Sequence, residues 1–294
     1  MPVVHVKDHA ITLGGAGNVV RNIVALGARC RVCSALGDDP DGDLVEGLLD
    51  ELGVDCSALQ RVPGRPTPRK SRIVARSQQI VRVDRESLEP LPADAARRFV
   101  ADAARAGEGA DGVILEDYGK GLFTASTVRR MMQRLIGAGV PVAVDPKGEL
   151  GAYKGADLLK PNLREAEALS GIAVRSEADL ERLAARLRSK IGGGALAITR
   201  GGEGISLFEG RALRVPGVHV PTPRREVFDV QGAGDTAIAA LWLAVRAGGS
   251  LREAAVVANA AAGAVVGKVG TATATRSEVR RGLARAIVAA EART

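Results

Sequence analysis

Apolar and polar positions change period several times along this 294-residue chain, and the changes define its elements. From residue 93 onward short apolar runs alternate with stretches of helical period. This pattern predicts helices over residues 93–106, 124–136, 164–169, 177–190, 237–247, 251–266 and 277–290. Between them it predicts strands over 112–115, 140–144, 157–159, 195–198 and 205–208. A beat of this kind builds βαβ units, with a parallel sheet covered on both faces. Upstream, the pattern gives a strand over 3–6, an amphipathic helix after Asn18 that Gly27 stops, a short strand over 28–34 and a helix over 44–52. Residues 65–86 read differently, as two β-rich runs (70–75 and 80–84) around a turn at Ser77-Gln78-Gln79, which make a hairpin.

Ligand sites in parallel sheets lie at the carboxyl ends of the strands. Polar residues collect there: Glu116-Asp117-Tyr118-Gly119-Lys120-Gly121, Asp145-Pro146-Lys147-Gly148 and Lys160-Pro161-Asn162-Leu163-Arg164-Glu165. The run Asp229-Val230-Gln231-Gly232-Ala233-Gly234-Asp235-Thr236 is followed at once by an apolar helix. The first N–H groups of a helix lack intrahelical partners, and together with the dipole they favour an anion such as phosphate. Asp235 would then be a carboxylate facing an anion site. It either caps the helix or takes a proton from a hydroxyl that attacks phosphorus. Asn162 and Glu165 have two readings as well, a capping box or a phosphate and metal site.

Composition narrows the classes. Aromatics make up 2 % of the chain, too few for a nucleic-acid surface built on stacking rings. The net charge of +7 is spread along the sequence rather than gathered in a tail, and suits phosphorylated substrates better than nucleic acid. Three cysteines form no disulfide framework, and Cys30-x-x-Cys33 has no second pair to complete a zinc site. His5, His9 and His219 lack the partners of a metal centre. With no leader and no apolar run long enough to cross a bilayer, a cytoplasmic protein without a membrane partner is expected.

The segment Asp229-x-x-Gly232-Ala233-Gly234-Asp235 resembles the C-terminal signature of the ribokinase-like (PfkB) carbohydrate kinases, with Val230 and Gln231 where Thr is frequent. The resemblance covers nearly the whole chain. It implies an α/β fold, a three-layer α/β/α sandwich with a mostly parallel sheet and a small β lid. Residues 1–294 would form one kinase domain, with lid strands at roughly 1–12 and 65–86. It also implies that Asp235 is the catalytic base and that the amides of Gly232, Ala233 and Gly234 form an anion hole. Gly14-Gly15-x-x-Asn18 would line the sugar site, with Val20 departing from the usual small residue. Asn162, Leu163, Arg164 and Glu165 would lie beside the ATP phosphates, with Asn162 and Glu165 organising Mg²⁺ through water. Thr199-x-Gly201-x-x-Gly204 would be the nucleotide loop, and Asn259 would lie near the adenine.

Thr67-x-x-Lys70-x-Arg72 with Gln78–Asp84, Asp117-Tyr118-x-Lys120-Gly121 and Asp145-Pro146-Lys147-Gly148 are similar to the heptose-7-phosphate kinase branch of that family. Substrate contacts are then implied for Gly14, Gly15, Asn18, Lys70, Arg72, Asp117, Lys147 and Asp229. The implied reaction is ATP-dependent phosphorylation of D-glycero-D-manno-heptose 7-phosphate at its C1 hydroxyl, in ADP-heptose (lipopolysaccharide core) biosynthesis. Mg²⁺ would serve as cofactor and the lid as the contact of a homodimer. A kinase of another sugar on the same fold, or a non-catalytic sugar or nucleotide sensor, stays open. Relatives carry a strand and a sugar-binding Asp some dozens of residues before the Gly-Gly turn, whereas about a dozen residues precede Gly14 here. Either the start of the sequence is placed too late, which is the expectation here, or an interior strand and one substrate ligand are missing. No nucleotidyltransferase His-x-Gly-His motif follows, so the kinase region reads as free-standing.

Overall fold

The computed structural model describes residues 5–75, 78–210, 212–222, 229–268 and 270–291. In chain order the elements are α1 (Ala16–Ala25), β1 (Arg31–Gly37), α2 (Pro40–Asp50), β2 (Asp55–Val62), β3 (Arg69–Ala75), β4 (Gln78–Arg85) and α3 (Ala93–Gly107). They continue with β5 (Val113–Glu116), α4 (Ala125–Gly137), β6 (Val142–Asp145), β7 (Leu158–Leu159), α5 (Leu163–Ser170), α6 (Glu177–Ile191) and β8 (Ala195–Thr199). The last are β9 (Ile205–Phe208), β10 (Val218–Val220), α7 (Ala233–Arg246), α8 (Leu251–Val265) and α9 (Arg276–Glu291).

Among the described residues the main sheet has six strands in the order β10-β9-β8-β7-β6-β5. β5 to β8 run parallel; β9 returns antiparallel to β8 because the turn between them is too short for a crossover helix, and β10 is antiparallel to β9 in turn. Its strands are apolar on both faces, as a doubly covered sheet requires. Val142, Val144, Leu159, Leu196 and Ile198 face one core with α3, α4 and α6. Ala143, Leu158 and Ala197, one step out of phase, face a second core with α7 and α8. The helices match this at period 3.6: Val128, Met131, Met132 and Leu135 on α4, and Leu180, Leu183, Leu187 and Ile191 on α6, are all buried. On the other side, buried alanines such as Ala239, Ala240, Ala254, Ala255 and Ala258 let α7 and α8 approach closely.

β1 and β2 pair in parallel as a sheet of their own, hydrogen-bonded to no other named strand. β3 and β4 form the expected hairpin, also a separate two-stranded sheet. The lid strand expected near the N-terminus is corrected for the residues that can be described: residues 5–14 form no strand, and residues 3 and 4 lie outside the described residues. β3 and β4 pair only with each other, so this segment has no ladder partner, and residues 5–12 stay exposed until Leu13 enters a core. Arg76 and Ser77 of the hairpin turn also lie outside the described residues. Asp39 caps α2 from Gly42 N (2.9 Å) and also accepts from Thr67 N (3.0 Å), so the acidic loop 37–42 is structural. Among the described residues no helix is long and apolar enough to cross a membrane.

Candidate active site

Gly232 ends the loop before α7 with φ +74°, and α7 begins at Ala233, so the Gly-Ala-Gly-Asp run is itself the first turn of the helix. Ala233 N donates back to Val230 O at 3.3 Å. The Gly234 and Asp235 N–H groups, at the helix start, lack the carbonyl four residues back. Asp229 builds the approach to this turn, accepting from Gln231 N (2.9 Å) and from Gly270 N (3.0 Å). Both oxygens of Asp229, expected to contact substrate, thus hold main chain, with one donor on each.

Asp235 receives one donor on each carboxylate oxygen. Asn18 Nδ2 donates to Oδ2 at 2.8 Å, and Tyr118 Oη donates to Oδ1 at 2.6 Å. Asn18, expected at the sugar site, lies on α1 with 0 % exposure; its Nδ2 is used by this carboxylate, while its Oδ1 is buried without a partner. A Cβ at Gly232 would come within 2.5 Å of Asn18 Nδ2, in a backbone region that side chains disfavour. Gly232→Ala is expected to lower both melting temperature and turnover, because Asn18 must leave Asp235 to make room. Gly234→Ala is the control, since its nearest non-local atom would be 3.8 Å away. Equal effects of the two substitutions would show that crowding at Gly232 does not matter.

Charged residues converge here from three strand ends. Glu116 and Asp145 are register partners on β5 and β6. Lys160, immediately after β7, is 2 % exposed and lies 2.7 Å from Asp145 Oδ2. The same 3.8 Å neighbour of a Cβ at Gly234 is Lys160 Nζ, so the buried ammonium sits beneath the glycine turn. Burial pushes the Lys160 ammonium down, but Asp145 and Glu116 more than offset it and leave it above the ordinary lysine value. Burial and the neighbouring Asp145 push the Glu116 carboxyl well above the usual carboxylate range. Its Oε2 is closed to solvent without a partner.

A glycine turn opening a helix, a carboxylate fixed on it and a buried cation below thus lie together. The sequence profile of the pfkB family carbohydrate kinases matches residues 2–278. The chain belongs to the pfkB family of carbohydrate kinases. It is 46 % identical over 279 residues to the bifunctional protein HldE of Geobacter metallireducens, and 43 % identical over 277 residues to that of Nitratiruptor sp.. These matches cover 94 % of this chain but 56 % and 58 % of the relatives, so the chain spans little more than half of their length. In fold it is similar to phosphofructokinase-2 from Escherichia coli in complex with potassium (TM-score 0.78, 20 % identity, 97 % of this chain and 93 % of that one). Arabidopsis thaliana ribokinase complexed with ribose and ATP superposes with a TM-score of 0.73 (23 % identity, 92 % of this chain and 87 % of that one).

In this pfkB-family chain Asn162 and Glu165 form the capping box of α5. Asn162 Oδ1 accepts from Glu165 N at 3.0 Å and Glu165 Oε2 accepts from Asn162 N at 3.0 Å. Glu165 Oε1 also lies 3.3 Å from Lys147 Nζ. Leu163 packs its side chain against a core, so only its backbone is available to a ligand, whereas Arg164 is exposed. Thr199 forms a parallel bridge to Asn162, which sets the 199–204 turn beside the start of α5. In that turn Gly201 and Gly204 have φ of +58° and +107°. A capping carboxylate retains lone pairs, and Mg²⁺ keeps most of its waters, so the donor set at Asn162 and Glu165 fits a hydrated divalent ion.

Two further expected site residues also hold the fold. Asp117 accepts from Tyr153 Oη (2.6 Å) and Gly119 N (2.7 Å), which shapes its own turn. Asn259 donates to Val220 O (2.9 Å) and Pro221 O (3.3 Å), which ties α8 to the end of β10. Burial pushes the Cys30 thiol to about 11 and the Cys33 thiol to about 12, in keeping with packing rather than redox use. No cluster of His, Cys, Asp or Glu suited to a metal occurs among the described residues.

On the hairpin, Lys70 Nζ is held by Asp84 (2.9 Å) and Glu86 (3.1 Å). Arg72 pairs directly across the ladder with Arg82, and Arg82 has Asp84 at 2.9 Å. Among the described residues Arg72 meets no carboxylate.

Proposed function

We propose that this chain transfers the γ-phosphoryl group of ATP to the C1 hydroxyl of D-glycero-D-manno-heptose 7-phosphate, a step toward ADP-heptose. The observation that carries the reading is Asp235, a carboxylate fixed on both oxygens at the first turn of a helix whose N–H groups can receive a phosphoryl group. Asp235 takes the proton of the attacking hydroxyl, and the amides of the Gly232–Gly234 turn face the charge that develops on the transferring group. The 199–204 turn and the start of α5 receive the nucleotide phosphates. Asn162 and Glu165 would hold Mg²⁺ when it is bound, and the ion would there supply neutralisation of phosphate charge. A phosphate already on the sugar explains the hairpin: two arginines opposite each other repel, and an anion between Arg72 and Arg82 relieves that cost.

The hairpin also supports a homodimer. Val74, Ile80, Val81 and Val83 are 43–57 % exposed on its two strands, an apolar set that a second copy would cover.

Purified protein tested for ADP release against a panel of acceptors decides the substrate. Heptose 7-phosphate is expected to give the highest kcat/KM, well above ribose, fructose 6-phosphate and unphosphorylated heptose. Preference for another acceptor would overturn the heptose assignment while keeping the kinase. Thermal stabilisation by nucleotide and sugar without any ADP release would favour a sensor.

A further inference from the structure

We propose that Tyr118 is a positioning residue for Asp235, fixing the carboxylate oxygen that the acceptor hydroxyl must approach. The inference rests on the reading of Asp235 as the base. Asp235 Oδ2 is reached from the interior by Asn18, which is wholly buried, so that side is closed to a ligand. Oδ1 points the other way, toward Tyr118 Oη at 2.6 Å, and Tyr118 is 40 % exposed. The open approach to the carboxylate is therefore on the tyrosine's side. A carboxylate oxygen accepts two hydrogen bonds, so the phenol leaves a lone pair on Oδ1 for the acceptor. The terminal torsion of an aspartate is soft, and one donor on each oxygen removes that freedom.

Apolar packing does not explain where this tyrosine sits. Its ring lies over Gly15, where a Cβ would be 3.4 Å from Cε2, and much of the residue remains in solvent. The hydroxyl contact supplies the reason. Burial first, and then the carboxylates of Glu116 and Asp235, push the phenol well above its ordinary value, so it stays a donor. Asp145 acts on it in the same direction, while Lys160 faces those carboxylates from below. The turn that presents Tyr118 is itself held on two sides. Asp117 is fixed by Tyr153, and Lys120 is fixed by Glu86, the carboxylate that also takes Lys70 of the hairpin. Arg65 adds hydrogen bonds to the Lys120 and Glu89 carbonyls. A side chain carried on so constrained a turn can orient its partner.

The test is a double-mutant cycle in the full chain, with Tyr118→Phe, Asp235→Asn and the combined variant assayed for heptose phosphorylation. Tyr118→Phe is expected to lower kcat about thirtyfold, with KM for ATP unchanged within twofold. In the Asp235→Asn background the same substitution should cost nothing more, because it acts through that carboxylate. Losses that multiply would overturn the role of Tyr118 and leave the base in place, as would a kcat within twofold of the parent. Full turnover by Asp235→Asn would remove the base and this role together.

Discussion

Replacing Asp235 by Asn is expected to lower kcat by about three orders of magnitude, with nucleotide affinity largely retained. The side chain keeps its shape, so the helix start and the glycine turn stay in place. What changes is chemistry: an amide cannot accept the proton that the attacking hydroxyl must lose. The hydrogen bonds change as well. Asn18 Nδ2 and Tyr118 Oη both donate to the native carboxylate, on opposite oxygens. An amide offers one acceptor, so one donor faces an NH₂ group, at a cost of about 1–3 kcal/mol in stability. Turnover, ATP affinity by calorimetry and melting temperature separate these effects. A kcat within tenfold of the parent would show that the proton leaves by another route.

Much of the site's position was legible in the sequence, because it follows from period and glycine placement. Helical spacing in α4 and α6 and apolar runs at β6 and β8 located the sheet and its layers, and with them the strand ends where polar residues gather. β2 was missed because its inward positions are Ala58, Gln60 and Val62, a weak alternation that only pairing with β1 makes a strand. β10 has three residues and takes its conformation from β9. The start of α7 was read four residues late, since Gly232 and Gly234 have low helix propensity and periodicity begins beyond them.

Side-chain direction was harder. The capping box and the phosphate reading of Asn162 and Glu165 use the same spacing, and the structure forms the box without removing the carboxylate's remaining lone pairs. Asp117, Asp229 and Asn259 each hydrogen-bond a tyrosine or main-chain groups from elsewhere in the chain, which ties them into the fold. Sequence spacing carries no record of such distant partners. Tyr118 and Lys160 were visible only as members of polar runs. For Lys160 a usable signal was present, a lone cation at the end of the apolar run 158–159 and just before Pro161, a place where burial forces a charge to find a partner.

That burial makes Lys160→Met the second large effect. Removing the ammonium leaves Asp145 in the interior beside Glu116 and close to Asp235, with no cation at the 2.7 Å position. Breaking a buried pair from one side costs about 3–5 kcal/mol, because the remaining charge is uncompensated. A melting temperature lower by about 10 °C is expected for a chain of this size. Turnover should fall at least a hundredfold, since on the proposed reading the cation beneath Gly234 also faces the incoming phosphoryl group. The two losses come apart in the variant Lys160→Met with Asp145→Asn, in which both members of the pair are neutral. Most of the stability should return there, as buried pairs are commonly replaceable by neutral groups. Turnover should stay low, because the phosphoryl group still lacks its cation. If activity recovered along with stability, Lys160 would serve the fold alone, and charge on the transferring group would have to be met by the helix start and the metal ion.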